Sequence, residues 1–251
     1  MKKKIVVFSG AGLDKASGID TYRDIKNGLW YNYNPEEVAT IDGWDKNPVK
    51  VLEFHNMLKE KLSTIIPNEA HNSLVHLESE YDVTHITQNV TNLLEMAGAS
   101  NVIHLHGQLT KARGSSYPNK ENLEYHVIDT GYEPINLGDM CPITDSQLRP
   151  NLVWFGEYPH NLFEAYEAII NADTLLIVGT SLQISYTLHM LLEVKNHNKA
   201  CEIYYIDPNP VEYLDNYGLM VNYIRKDAVD GLADIVNELI TKSIKNKKET
   251  E

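Results

Sequence analysis

The sequence predicts an α/β fold, a doubly wound parallel sheet with a smaller inserted domain. Three observations carry this. An apolar run from Lys4 to Ser9 leads straight into Gly10-Ala11-Gly12 and then a segment of helical character. Apolar strands alternate with helix-period segments between Val83 and His106 and again between Leu152 and Ile206. Between them, Gly114, Pro118, Gly131, Pro134, Gly138, Pro142 and Pro150 break any long periodic element.

Lys4–Ser9 reads as a buried strand because Ile5-Val6-Val7-Phe8 is uninterrupted and apolar, and a strand entering a glycine turn and a helix is how α/β folds open a nucleotide site. From Pro48 to Ile66, Val49, Leu52, Phe54, Leu58 and Leu62 recur at roughly helical spacing, and Glu69–Leu77 reads as a second, shorter helix. Val83–Thr87 reads as a strand, Val90–Gly98 as a helix and Asn101–His106 as another strand, which makes a βαβ unit. The stretch from Gly107 to Pro150 reads as most of a small, irregular second domain. Alternation resumes with Leu152–Phe155, a helix over Asn161–Asn171, the strand Thr174–Val178, a helix after Ser181 and the strand Glu202–Ile206. The last periodic helix covers about Gly231–Ile240, and the Lys-rich tail beyond it is expected to fray.

With 251 residues, 43% hydrophobic and 23% charged, the chain can bury the core of one large domain or one domain plus an insertion. Its 22 Lys+Arg against 35 Asp+Glu give a formal charge of −13, which repels nucleic-acid phosphates and anionic lipid and weakly attracts basic peptides. No nucleic acid or membrane is expected as a partner. The run Ile5–Phe8 behind the basic Met1–Lys4 is too short for a signal-peptide core or a membrane span, so a cytoplasmic location is expected. Cys141 and Cys201 lie far apart and cannot form a four-thiolate zinc site, so no metal is expected.

The Gly10-Ala11-Gly12 turn lets backbone N–H groups approach a pyrophosphate. A lone GxG is as often a plain tight turn, and the third glycine of GxGxxG is absent. His104 and His106 alternate along a predicted strand, where a histidine is more often structural than catalytic. Taken alone, these residues leave both readings open.

The stretch from Gly10 to Arg23, GAGLDKASGIDTYR, resembles the opening motif of the sirtuin (Sir2) family, GAGxSxxSGIPxFR. The match continues in order through Gly28-Leu29-Trp30, Pro35-Glu36-Glu37-Val38-Ala39-Thr40, Thr87-Gln88-Asn89-Val90, Gly98 and His106-Gly107. It ends with Leu148-Arg149-Pro150, Val153-Trp154-Phe155-Gly156-Glu157 and Gly179-Thr180-Ser181. The resemblance implies a Rossmann-like NAD-binding domain over residues 1–25, 67–108 and 150–245, with a small domain over 26–66 and 109–149. NAD as co-substrate would lie between them, facing an acyl-lysine protein or peptide. The implied activity is lysine deacylation, releasing nicotinamide and O-acyl-ADP-ribose.

Carried over residue by residue, Gly10, Ala11, Gly12 and Arg23 would line the phosphates and the cofactor loop, with Tyr22 shielding the reacting ribose. Gln88, Asn89 and Thr91 would lie on the nicotinamide side, and Gly179, Thr180 and Ser181 at the phosphates and adenosine. Asp207 stands where the family usually has an Asn at the adenosine ribose; Asp227 and Ala228 complete the cofactor set. His106 would be the general base, assisted by Asn89, since an imidazole can take a proton from a ribose hydroxyl directly or by relay. Val153, Phe155, Gly156 and Glu157 would floor the acyl-lysine groove, with the substrate peptide added as a strand. His104 has no motif behind it and reads as structural.

The chain departs from the pattern at further places. Cys141-Pro142 is what remains of CPxCG, and Lys111-Ala112-Arg113-Gly114 and Tyr117 occupy the place of the upstream cysteine pair. The small domain is therefore expected to hold by packing, with Tyr117, Leu123, Tyr125, Val127, Ile128 and Tyr132 as candidates. Thr91 replaces an aspartate that accepts from the nicotinamide carboxamide. Asp14 replaces Ser and Asp20 replaces Pro, and extra carboxylates near a pyrophosphate oppose anion binding unless they point away. His55 and Leu58 stand where members that remove acidic acyl groups carry Tyr and Arg, so a neutral acyl chain is expected. Competing functions are an NAD glycohydrolase or ADP-ribosyltransferase using the same bond cleavage, and an idle NAD sensor, against which the retained His106 argues.

Overall fold

The structure is a computed structural model that describes residues 2–19, 33–116 and 126–250. In chain order its first half comprises β1 (Lys4–Ser9), α1 (Ala11–Asp14), α2 (Pro35–Val38), α3 (Ile41–Lys46), α4 (Pro48–Leu62), α5 (Glu69–Leu77), β2 (Asp82–Thr87), α6 (Leu93–Ala97), β3 (Val102–His104) and β4 (Gly107–Gly114). The second half comprises β5 (Val127–Asp129), β6 (Leu148–Leu152), α7 (Leu162–Ile170), β7 (Thr174–Val178), α8 (Ser185–His197), β8 (Glu202–Ile206), β9 (Val221–Ile224) and α9 (Ala228–Thr250).

Six strands form one sheet in the order β3-β2-β1-β7-β8-β9, every adjacent pair parallel. Parallel strands covered on both faces are apolar without alternation, and Ile5–Phe8 and Leu175–Val178 are buried throughout. One face is sealed by α5 and α9 through Leu74, Leu77, Leu232, Ile235 and Val236. The other is sealed by α7 and α8 through Ala165, Ile169, Met190, Leu191 and Val194. A second, antiparallel sheet of order β5-β4-β6 packs under α4. Helix α4 begins sharply because Pro48 pre-sets its first turn and the Asn47 side chain accepts from Lys50 N–H. Helix α5 begins in a capping box between Asn68 and His71.

Several predicted boundaries move, each for a physical reason. The predicted strand Asn101–His106 stops at His104, because Gly107 at φ +79° turns the chain into β4. A Cβ there would sit 1.9 Å from the Asn151 carbonyl oxygen, so only glycine fits. The predicted helix Val90–Gly98 shrinks to Leu93–Ala97, which leaves residues 88–92 as a loop. The supposedly irregular stretch opens with the eight-residue β4, whose bulge between Gln108 and Ala112 hides its alternation. The strand expected at Leu152–Phe155 lies instead at Leu148–Leu152, where Pro150 pairs without needing a donor. Helix α9 runs on through the tail expected to fray, tied to the body by Lys247 and Ser243 on Glu80.

Candidate functional site

A doubly wound sheet leaves a crevice beyond the carboxyl ends of the strands where the winding reverses, here β1 and β7. The two following turns lock together: Gly10 N–H donates to Val178 O (3.0 Å) and Gly12 N–H to Gly179 O (2.8 Å). A Cβ on Gly12 would lie 2.5 Å from Gly179 Cα, and Gly179 itself has φ +58°, so this contact requires glycine on both sides. Gly10, Ala11 and Gly12 therefore present nearly bare backbone at the crevice, and Thr180 and Ser181 follow directly on the opposite turn.

Beyond β2, Gln88 and Asn89 reach back to both turns. The Thr180 hydroxyl donates to Gln88 Oε1 at 2.7 Å, and Asn89 Nδ2 donates to Gly10 O at 3.0 Å. His106 enters from the β3–β4 turn. Its Nδ1 lies 2.8 Å from the Gln88 carbonyl, which can only accept, so Nδ1 carries the proton and Nε2 the lone pair. Burial pushes the imidazole below its usual pKa while the Gln88 carbonyl opposes the shift. A neutral imidazole with a fixed tautomer is what a general base requires. His104 is buried and held between Asn89 O (3.3 Å) and Glu95 Oε1 (2.7 Å).

The predicted groove residues follow directly on the end of β6. Val153 N–H donates to His106 O (3.0 Å) and Phe155 N–H to Ala39 O (3.0 Å), so this segment joins the base to the α2–α3 unit. Phe155 is 65% exposed and Tyr158 90%, and Gly156 has φ +91°. The Glu157 carboxylate turns inward instead, accepting from Arg113 and Arg149 guanidinium groups (each 3.0 Å) and from Trp154 N–H (2.8 Å). Burial raises its pKa, but these donors outweigh burial and hold it below the usual carboxylate range. Its side chain thus braces the turn that follows β6.

Thr91 carries a partner that its sequence neighbourhood does not announce. Its hydroxyl donates to Asp14 Oδ2 at 2.8 Å, and His71 Nε2 lies 3.2 Å from Asp14 Oδ1. The carboxylate absent at position 91 enters from position 14, buried and turned onto its own partners. Asp207, at the end of β8, is half-buried; burial raises its carboxyl, opposed by Asn209 N–H and Lys15. Asp227 is exposed and accepts from Asp230 N–H as the cap of α9, whose first residue Ala228 is buried. Tyr22, Arg23 and Asp20 lie outside the described residues.

Where the family's cysteines would stand, Ser116, Thr144 and Ser146 join hydroxyls at 2.8–3.1 Å around Gly114 and the buried Cys141. Leu52, Ala112, Ile135, Cys141 and Leu148 pack below them. Of the residues proposed for this packing, Ile128 joins that cluster, Val127 is 40% exposed, and Tyr132 donates to Asn92 Oδ1 (2.7 Å). Tyr117, Leu123 and Tyr125 lie outside the described residues. Buried Lys59 ties α4 to this unit through Thr130 Oγ1 and Glu133 O, both 2.8 Å. Among the described residues no three His, Cys, Asp or Glu side chains gather as a metal site.

Fold and site together define a Rossmann-like α/β protein with a glycine-walled crevice and a neutral, oriented histidine beside it. The Sir2 family model matches residues 10–186, and the chain belongs to the Sir2 family. It is 40% identical over 238 residues to an NAD-dependent protein deacylase of Helicobacter pylori (strain ATCC 700392 / 26695), covering 95% of this chain and 98% of that protein. A Bacteroides thetaiotaomicron protein of the same description is 38% identical over the same shares. Among solved structures, a Sir2 homologue–NAD complex aligns with TM-score 0.80 at 31% identity, over 96% of this chain and 91% of that one. A mutant Sir2 homologue bound to ADP-ribose aligns with TM-score 0.82 at 30% identity, over 100% and 95%.

Proposed function

We propose that this sirtuin is an NAD-dependent protein lysine deacylase, with His106 as general base. The observation that carries this reading is the His106 tautomer, whose accepting nitrogen stands beside the crevice of a Sir2-family chain. The residues present fit NAD: a turn at Gly10–Gly12 free of bulky side chains that lets a ligand approach closely, the polar Thr180 and Ser181 opposite it, and the Asp207 carboxylate as an acceptor for ribose hydroxyls. NAD supplies the leaving nicotinamide and the ribose that receives the acyl group. Gln88, Asn89 and Thr91 hold the nicotinamide side, Gly179 backs the phosphate turn, and Asp227 and Ala228 lie toward the adenosine. Residues 1–25, 67–108 and 150–245 form the NAD-binding domain, and 26–66 with 109–149 the small domain. Val153, Phe155, Gly156 and Glu157 pair an acyl-lysine peptide along the groove floor.

The relatives described as deacylases and the complexes with NAD and ADP-ribose support this reading. A cytoplasmic location belongs to it as well; among the described residues no helix is long and apolar enough to cross a membrane. The test is nicotinamide release from NAD with and without an acetyl-lysine peptide. Release that depends on the peptide supports deacylation, and equal release without it assigns NAD hydrolysis.

A further inference from the structure

We propose that Tyr186 is a second catalytic residue, passing the proton of a ribose hydroxyl to His106. The proposal rests on the reading of His106 as base. Tyr186 stands in the first turn of α8, a few residues beyond Gly179-Thr180-Ser181, and its hydroxyl lies 2.6 Å from His106 Nε2. Because Nδ1 is committed to the Gln88 carbonyl, Nε2 is unprotonated and the phenol must be the donor. The rings meet edge-on at 86° with centroids 6.1 Å apart, so the phenol oxygen stands at the end of the imidazole lone pair. The phenol thus occupies the hydrogen-bonding position of Nε2, and in the relay a ribose hydroxyl would reach the base through it.

Burial pushes the Tyr186 phenol up to about 12, with the Gln88 side chain opposing, so the group stays a neutral donor wherever the imidazole titrates. Among the described residues, His160, ahead of α7, also feels the charge of His106. Behind it Arg113 and Arg149 are tied to Glu157. In the transfer, the ribose O–H breaks as a new Tyr186 O–H forms. The original Tyr186 O–H breaks as His106 Nε2–H forms. The ribose oxygen keeps the electron pair for attack on the acyl carbon, the imidazole becomes a cation and the tyrosine ends neutral.

The test is a double-mutant cycle of Y186F and H106A, since residues that act as a unit lose activity non-additively. Phenylalanine keeps the ring and removes only the relay. Each single variant is expected to lower deacylation by about 10² to 10⁴, the range for a lost acid or base, with the double variant no worse than H106A. Both variants should still exchange labelled nicotinamide into NAD in the presence of acyl peptide, because the proton moves after nicotinamide has left. In the substrate-free protein, the Nε2 nitrogen resonance of His106 should shift between wild type and Y186F. Deacylation by Y186F within threefold of wild type, or faster, overturns the relay while leaving His106 as base. An unmoved Nε2 resonance overturns the contact itself. Full activity in H106A would instead overturn the reading on which the relay rests.

Discussion

At the scale of single residues, the pair Asp14 and Thr91 shows how a site survives the exchange of its parts. Each replacement alone looks damaging, yet the two side chains meet at 2.8 Å, a hydroxyl and a carboxylate at positions where the motif has them exchanged. Thr91→Asp would set a second carboxylate against a buried one, which forces one of them to take up a proton or drives the loop apart. That variant is expected to lose nicotinamide release by about tenfold or more, and the exchange Asp14→Thr with Thr91→Asp to regain most of it. Failure of the double exchange to recover would place the damage elsewhere. His55 decides a different question. It is fully buried, burial lowers its pKa to about 4, and its Nδ1 is bound to Val51 O at 2.8 Å, so it offers no cation to an acidic acyl tail. Acetyl-lysine or a longer apolar acyl-lysine peptide should therefore exceed succinyl-lysine by about tenfold or more in kcat/KM, since a buried carboxylate without a guanidinium is costly. Equal succinyl removal would contradict this. Motif positions such as Gly10, Gln88 and His106 were legible in the sequence. The Asp14–Thr91 and Tyr186–His106 contacts were not, because each joins residues about 80 apart that only the folded sheet brings together.

At the scale of elements, legibility follows burial. Strands covered on both faces, β1, β7 and β8, declare themselves as apolar runs and fall where expected. β4 and β9 escape: a bulge scrambles the alternation of one, and half-burial at the sheet's edge dilutes the other. The small unit is held by hydroxyl contacts among Ser116, Thr144 and Ser146, by the Lys59 tie and by the Asn56–Ile135 double hydrogen bond (both 2.9 Å). A chelator should accordingly leave the melting temperature unchanged to within about 1 °C, whereas loss of a structural zinc removes folding free energy outright. A fall of many degrees, with about one zinc per chain by metal analysis, would show that ligands exist which this account lacks.

At the scale of the whole molecule, His55 and His160 contribute to acid sensitivity. Burial holds both His55 and His160 down to about 4, so between about pH 6.5 and 4 the unfolded chain binds protons that the folded chain refuses. Stability rises with pH wherever the unfolded state binds more protons, so it must fall as pH drops through this window. Melting curves from pH 7 to 4 should show the decline, and His55→Phe should flatten it; an unchanged slope would mean that His55 protonates freely in the folded state. The central claim is that the nicotinamide–ribose cleavage is coupled to acyl transfer. It is tested most directly by following every product of NAD and an acetyl-lysine peptide by mass. Nicotinamide, deacetylated peptide and acetyl-ADP-ribose are expected in equal amounts, and none of the three without peptide. Free ADP-ribose forming at the same rate whether or not peptide is present, with the peptide still acetylated, would contradict it.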